Sequence, residues 1–146
     1  MVNRAHRVLL SAVIVPAVFL SGCGPDESPR ARLDGDVPVV AICESVRATE
    51  VEFRVGRGHT NPYRGDVLWR LTGAHRFEVG DTITLGVLPS DMTAEADPGV
   101  FDPAEDDLVV TLTPAAADED TQASWWGAGS LSSATWSNGD KTNPCG

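Results

Sequence analysis

The chain has 146 residues, of which 42% are hydrophobic and 22% charged, and its 21 acidic against 11 basic residues give a formal net charge of −10. This length fits one small globular domain and excludes a TIM barrel or a two-domain enzyme, which need roughly 200 residues or more. Ten prolines and fourteen glycines argue against a long-helix or coiled-coil architecture. Lys141 is the only lysine and the sequence has no basic patch, so we do not expect nucleic-acid binding.

The first 22 residues have the organisation of an export signal. Arg4 and Arg7 form a positively charged start, and Val8 to Leu20 is an apolar run too short to span a membrane but suited to the core of a signal peptide. Leu20-Ser21-Gly22-Cys23 follows directly. This tetrapeptide resembles the lipobox of bacterial lipoprotein signal peptides. The alternatives are an ordinary secretory signal with a nearby cysteine, or an uncleaved anchor helix.

The resemblance implies that Cys23 receives diacylglycerol on its thiol and becomes the first residue of the mature chain. Two or three acyl chains on one residue would hold the protein durably at the extracytoplasmic face of a cell membrane. Loss of residues 1–22 removes Arg4 and Arg7 and no acidic residue, which changes the formal net charge from −10 to −12. We therefore expect anionic head groups to repel the folded part of the chain.

The segment after Cys23 has the composition of a linker. Gly24 to Asp36 is rich in Gly, Pro, Ser and charged residues, and Leu33 is its one large apolar side chain. Such a composition predicts a flexible stalk. The sequence thus predicts a signal peptide over residues 1–22, a lipid-anchored stalk over residues 23–36 and a folded domain over residues 37–146.

The cysteine count supports this division. With Cys23 committed to lipid, Cys43 and Cys145 remain as an even pair in an exported, disulfide-permissive compartment. We predict that these two cysteines form a disulfide bond. A structural zinc site is the competing interpretation, but two cysteines without neighbouring histidines do not provide four ligands.

Alternation of apolar and polar residues with a period near two predicts an all-β domain. The expected strands lie at residues 37–43, 50–55, 67–71, 82–87, 108–113 and 123–126. The side chains expected to face inward are Val51, Phe53, Val55, Val67, Trp69, Leu71, Ile83, Leu85, Val87, Leu108, Val110 and Leu112. Within residues 134–141, Asn138-Gly139 predicts a two-residue type I′ hairpin turn. Short strands separated by turns favour a β-sandwich of immunoglobulin or fibronectin type III kind, with a β-barrel as the alternative. Trp69 suits the buried tryptophan beside a disulfide in that class, although the spacing differs from that of antibody domains.

No catalytic or metal-binding motif is present, so we predict no catalytic residue, metal or cofactor. His59 and His75 have no zinc-binding spacing, and Ser130 has no nucleophile motif around it. Two acidic clusters could offer oxygen ligands to Ca²⁺, although neither has the spacing of a known calcium loop and a solvated surface is the simpler interpretation. These clusters are Asp102, Glu105, Asp106 and Asp107, and Asp118, Glu119 and Asp120.

Three tryptophans lie close together near the C-terminal end of the sequence. Trp125, Trp126 and Trp136 could form a platform for a sugar or a protein partner, or could complete the core. Adjacent tryptophans in a strand point to opposite faces, so we expect one of Trp125 and Trp126 to be less buried than the other.

The sequence as a whole resembles small bacterial cell-envelope lipoproteins of unassigned function whose C-terminal segment has a tryptophan, a turn and Pro-Cys. Trp136 to Asp140 and Asn143-Pro144-Cys145 carry this similarity. The resemblance implies a membrane-anchored, non-enzymatic interaction module with membrane lipid and an envelope protein or glycan as partners. The alternatives are a small ligand-binding module for carbohydrate or Ca²⁺, and a hydrolase in which Ser130 meets a histidine and an acid.

Overall fold

A computed structural model describes residues 28–56 and 60–146. These residues form two antiparallel β-sheets that face each other without closing into a barrel, which confirms the predicted β-sandwich. The eight strands are β1 (Arg30–Asp34), β2 (Val37–Ala41), β3 (Val46–Val55), β4 (Asp66–Phe77), β5 (Thr82–Thr84), β6 (Thr93–Ala94), β7 (Leu108–Pro114) and β8 (Gln122–Trp126). One 3₁₀ turn at Pro62–Arg64 precedes β4.

The strand order is β1-β2-β5 in the smaller sheet and β6-β4-β3-β7-β8 in the larger one. Alternate residues of each strand point between the sheets and form one apolar core. Phe53 and Trp69 lie at its centre with ring centroids 5.9 Å apart, and both are buried. Trp69 therefore packs on an aromatic partner from the neighbouring strand.

A bulge between β3 and β4 overturns one part of the predicted inward set. Phe53 pairs with Trp69 but Arg54 pairs with Val67, so Leu68 is an extra residue on β4. An extra residue reverses the alternation beyond it. Val67 is consequently 43% exposed, and Leu68 is buried in the core in its place.

The smaller sheet begins earlier than the sequence suggested. Residues 30–34 of the predicted stalk form β1, so the stalk prediction is wrong for this segment, while the signal peptide and Cys23 lie outside the described residues. Ala31 and Leu33 enter the core, and Arg30 and Arg32 occupy the opposite face. One leucine and one alanine are enough because β1 is an edge strand, and on its other face the Arg32 guanidinium packs over the ring of Trp136.

Two glycine turns explain the remaining differences. Gly86 has a φ of +88°, and the amide of Val87 donates to the carbonyl of Thr84, so the chain turns after β5 and Val87 is 62% exposed instead of buried. Gly139 has a φ of +87°, which favours glycine. The Gly139 amide donates to the Trp136 carbonyl and the Trp136 amide to the Asp140 carbonyl. Residues 137–139 therefore form a three-residue loop whose last residue, Gly139, has the left-handed backbone conformation. The predicted two-residue type I′ turn is wrong.

Candidate functional site

The predicted disulfide is present and closes a C-terminal cover, which we define as residues 131–145. Cys43 and Cys145 are bonded across 102 residues of sequence. The cover also follows the free edge of β1: Leu33 donates its amide to the Ser132 carbonyl, and Ser137 donates its amide to the Ala31 carbonyl. These bonds pair an edge that would otherwise be open to other strands.

Trp136 belongs to this cover and has a structural role. It is 6% exposed and packs on Val39 and Ala41, on the face of β2 that points away from the main core. The guanidinium of Arg32 stacks over the ring at 4.7 Å from the centroid. The smaller sheet is therefore covered on both faces, and Trp136 is removed from the predicted platform.

Trp125 and Trp126 point to opposite faces of β8. Trp126 pairs with Leu108 and packs against the main core. Trp125 pairs with Val109 on the outer face of the larger sheet and is 51% exposed, whereas Val109 is buried. The three tryptophans of the predicted platform thus occupy three different environments, and of these three Trp125 offers an open aromatic surface.

An ion-pair cluster of Glu52, Arg54 and Arg70 lies on the same outer face. Glu52 is only 7% exposed. Its carboxylate accepts a hydrogen bond from Nε of Arg70 at 2.8 Å and another from Nε of Arg54. The hydrogen bond to Glu52, followed by the negative charge of Glu52, raises the pKa of Arg70 above its ordinary value.

This cluster was not predicted as a unit, although the inward prediction for Val51, Phe53 and Val55 implies that Glu52 and Arg54 lie on the outer face. The missing information was the strand register, which sets Arg70 directly opposite Glu52. Arg54 also donates from Nη1 to the Gly65 carbonyl at 2.8 Å, and Arg70 reaches Glu95 at 3.4 Å. The guanidinium groups are therefore engaged by neighbouring parts of the protein.

The first acidic cluster holds a loop together. Asp106 is 6% exposed, and its carboxylate accepts the Asp102 amide at 2.9 Å, while Asp102 accepts the Ala104 amide at 3.0 Å. Asp107 accepts the amide of Ala128 at 2.7 Å. Within the described ranges, no group of three or more His, Cys, Asp or Glu side chains is arranged to hold a metal ion.

The second acidic cluster borders an open cleft of about 640 Å³. Its walls include Ser28 and Pro29, the segment Glu44 to Val46, and the segment Glu119 to Ala123. Gln122 crosses the cleft and donates to the Glu44 carbonyl at 3.3 Å. Glu119 and Asp120 thus contribute carboxylates to a solvent-open wall.

The residues of the hydrolase hypothesis have other contacts where they are described. The His75 ring contacts the Phe77 ring in a tilted arrangement with centroids 4.4 Å apart, and Nδ1 of His75 lies 3.4 Å from Oδ2 of Asp91. The pKa of Asp91 is lowered first by the Ser90 hydroxyl and then by His75. Ser130 donates its hydroxyl to the Gly127 carbonyl at 2.6 Å, and His59 lies outside the described residues.

Comparison with known proteins adds no relative: neither a protein-family model, nor a curated protein, nor a solved structure matches the chain. Over residues 28–56 and 60–146, no helix has the length and apolar character needed to cross a membrane.

Proposed function

We propose that this protein is a lipid-anchored interaction module at the extracytoplasmic face of the cell envelope, without catalytic activity. The Cys43–Cys145 bond is the observation that carries the proposal. Disulfides of this kind persist in oxidising compartments, which agrees with export directed by residues 1–22. Because this bond uses two of the three cysteines, Cys23 is the thiol left for acylation at the lipobox position.

The position of β1 limits the distance between the anchor and the domain. Only residues 24–29 separate Cys23 from Arg30, where β1 begins. A chain of this length reaches at most about 25 Å when fully extended. The sandwich is thus held near the membrane, and its acidic charge favours contacts with neutral or basic envelope partners over anionic lipid.

The outer face of the larger sheet is the surface best suited to such a partner. Trp125 is half exposed there, and the cluster of Glu52, Arg54 and Arg70 gives the neighbouring surface fixed polar groups. Exposed aromatic side chains are enriched at protein interfaces, because they bury a large area at low entropic cost.

A carbohydrate ligand is the second candidate, and Trp125 is again the observation that favours it. A ring exposed on the open face of a sheet can stack on the apolar face of a sugar. Insoluble envelope glycan should then retain the wild-type chain and lose it on Trp125→Ala. Trp125→Phe, which keeps an aromatic ring, should retain most of the binding; equal retention of all three chains would remove the glycan hypothesis.

Anchoring is tested on the full-length chain in a bacterial host. Wild type, Cys23→Ala and the nearby control Ser28→Ala are compared by membrane fractionation and by intact mass. We expect wild type and Ser28→Ala to be membrane-bound with an acyl mass on Cys23, and Cys23→Ala to lack both properties. If all three chains are released, or all remain bound without modification, the anchor proposal is wrong.

A further inference from the structure

β8 is an edge strand without the features that usually protect sheet edges. It pairs with β7 over five consecutive residues without a bulge, and its outer side has no neighbouring strand among the described residues. Thr121 to Gly139 contain no Asp, Glu, Lys, Arg or Pro, although 22% of the whole chain is charged. Charges, prolines and bulges are the usual means by which proteins prevent edge pairing.

The other described edges are shorter or covered. β6 has two residues and β5 has three, while β1 is bonded to the C-terminal cover. β8 is thus the longest open edge in the described part of the sandwich. Its two outward side chains, Ala123 and Trp125, are both exposed.

The ladder identifies which backbone groups of β8 are free. Val55 pairs with Leu108, and at the next position along the ladder the amide of Gly56 donates to the carbonyl of Asp107. The backbone groups of Asp107 therefore point toward β3. Because the bonding direction alternates along an antiparallel strand, Leu108, Val110 and Leu112 bond toward β8. Their partners in β8 are Trp126, Ser124 and Gln122. The amides and carbonyls of Ala123 and Trp125 therefore point away from the sheet.

We propose that the occupant of this edge is a second copy of the chain, with the two β8 strands antiparallel about a twofold axis at Ser124. In this register Ala123 of one copy pairs with Trp125 of the other, and each such pair exchanges two hydrogen bonds. All four outward backbone groups of each β8 strand are then satisfied. The two larger sheets join into one continuous sheet through an isologous interface.

Side-chain size and charge agree with this register. Ala123 and Trp125 lie on the same outer face, so each indole would lie beside a methyl group of the opposite copy instead of a second bulky ring. The net charge of −10 opposes association of two copies, but β8 itself has no charged side chain, so the proposed pairing places no like charges directly opposite each other. The inference concerns the edge of β8 and does not depend on the lipid anchor.

A cysteine at the axis tests the arrangement. Directly opposed residues that do not exchange hydrogen bonds have Cα atoms about 4.5 Å apart, which is within the range for a disulfide. Ser124→Cys in the full-length chain, oxidised in the envelope fraction, should give a covalent homodimer on a non-reducing gel. Ser130→Cys, which is exposed outside β8, should remain monomeric.

A second pair of variants separates dimer loss from misfolding. Ala123→Pro removes an outward amide and leaves the bonds to β7 in place, so the sandwich should fold while the Ser124→Cys cross-link falls to the level of the Ser130→Cys control. Ala123→Ser keeps the amide and should keep the cross-link. Circular dichroism and the intact Cys43–Cys145 bond report that each chain has folded.

Three outcomes would overturn the inference. In the first, the thiol introduced by Ser124→Cys reacts with a thiol reagent but gives no homodimer; in the second, Ala123→Pro cross-links as well as Ala123→Ser. In the third, the introduced thiol cross-links to a different polypeptide, which would mean that the edge serves another protein. Membrane fractionation of the same samples measures anchoring independently of the cross-link. Loss of the dimer can therefore be distinguished from loss of the lipid anchor.

Discussion

Trp136→Ala should lower the free energy of unfolding much more than the same substitution at Trp125, the exposed tryptophan of the larger sheet. Trp136 is 6% exposed, and burial of a tryptophan removes roughly 150–250 Å² from water. At about 25 cal/mol per Å² this corresponds to about 4–6 kcal/mol, which is an upper bound because unfolded chains already bury part of that area. Measured losses for such truncations are about 3–5 kcal/mol, so we expect about 4 kcal/mol.

The assay is urea unfolding of the purified, oxidised chain followed by far-ultraviolet circular dichroism. With a slope of about 2 kcal/mol per molar urea, the midpoint should fall by about 2 M. Trp125→Ala is the matched control, because the same atoms are removed from a side chain that is 51% exposed, and we expect a loss of about 1 kcal/mol there. Equal losses for the two variants would refute the role assigned to Trp136 as a cover of the smaller sheet.

Three further predictions concern the bonds around this core. Replacing Cys43 and Cys145 with Ala should lower the free energy of unfolding by about 2–4 kcal/mol, measured in the same urea assay, because the bond closes a loop with a sequence separation of 102. Glu52→Gln should lower the melting temperature by an amount equivalent to about 2 kcal/mol, since two guanidinium groups lose their shared anion. Glu50→Gln should have little effect, because this side chain is 39% exposed and lies 3.9 Å from Arg70; equal shifts would contradict this. The amides of Asn143 and Thr142 lower the pKa of Asp140, so the stability that this carboxylate adds is present above its ordinary pKa and is lost as the pH falls through the lowered value. Acid titration of Asp140→Asn should therefore show a weaker loss of stability below about pH 4 than wild type, and identical profiles would be inconsistent with that role.

Residue alternation was sufficient to predict the strands that carry the core. Val51 and Phe53 in β3 and Leu108, Val110 and Leu112 in β7 are buried as the pattern indicated. Residues 50–55 of β3 alternate strictly, so any register that buries the apolar face gives the same result, whereas β7 departs from alternation at Val109, which is buried on the outer face. The disulfide was predictable for a different reason, because assigning Cys23 to a predicted lipobox leaves Cys43 and Cys145 as a single pair.

The errors arose where tertiary contacts override the local pattern. Val67 is exposed because a bulge depends on the register between two strands. The stalk prediction included β1 because Arg30 and Arg32 are typical of linkers, and the contact that Arg32 makes with Trp136 is distant in sequence. The same distant contact explains why Trp136 could not be separated from Trp125 by composition alone.

The location of Cys145 downstream of all eight strands imposes an order on folding. Synthesis proceeds from the amino-terminal end, so Cys43 emerges long before its partner, and the native pair can form only after β8 has been made. Until the C-terminal cover has been made, Trp136 does not yet pack on Val39 and Ala41, and the edge of β1 has no hydrogen-bond partners from the cover. The nascent chain thus passes through a period in which the apolar outer face of β2 is uncovered and the edge of β1 is unpaired, when holdase chaperones have the most influence on its yield.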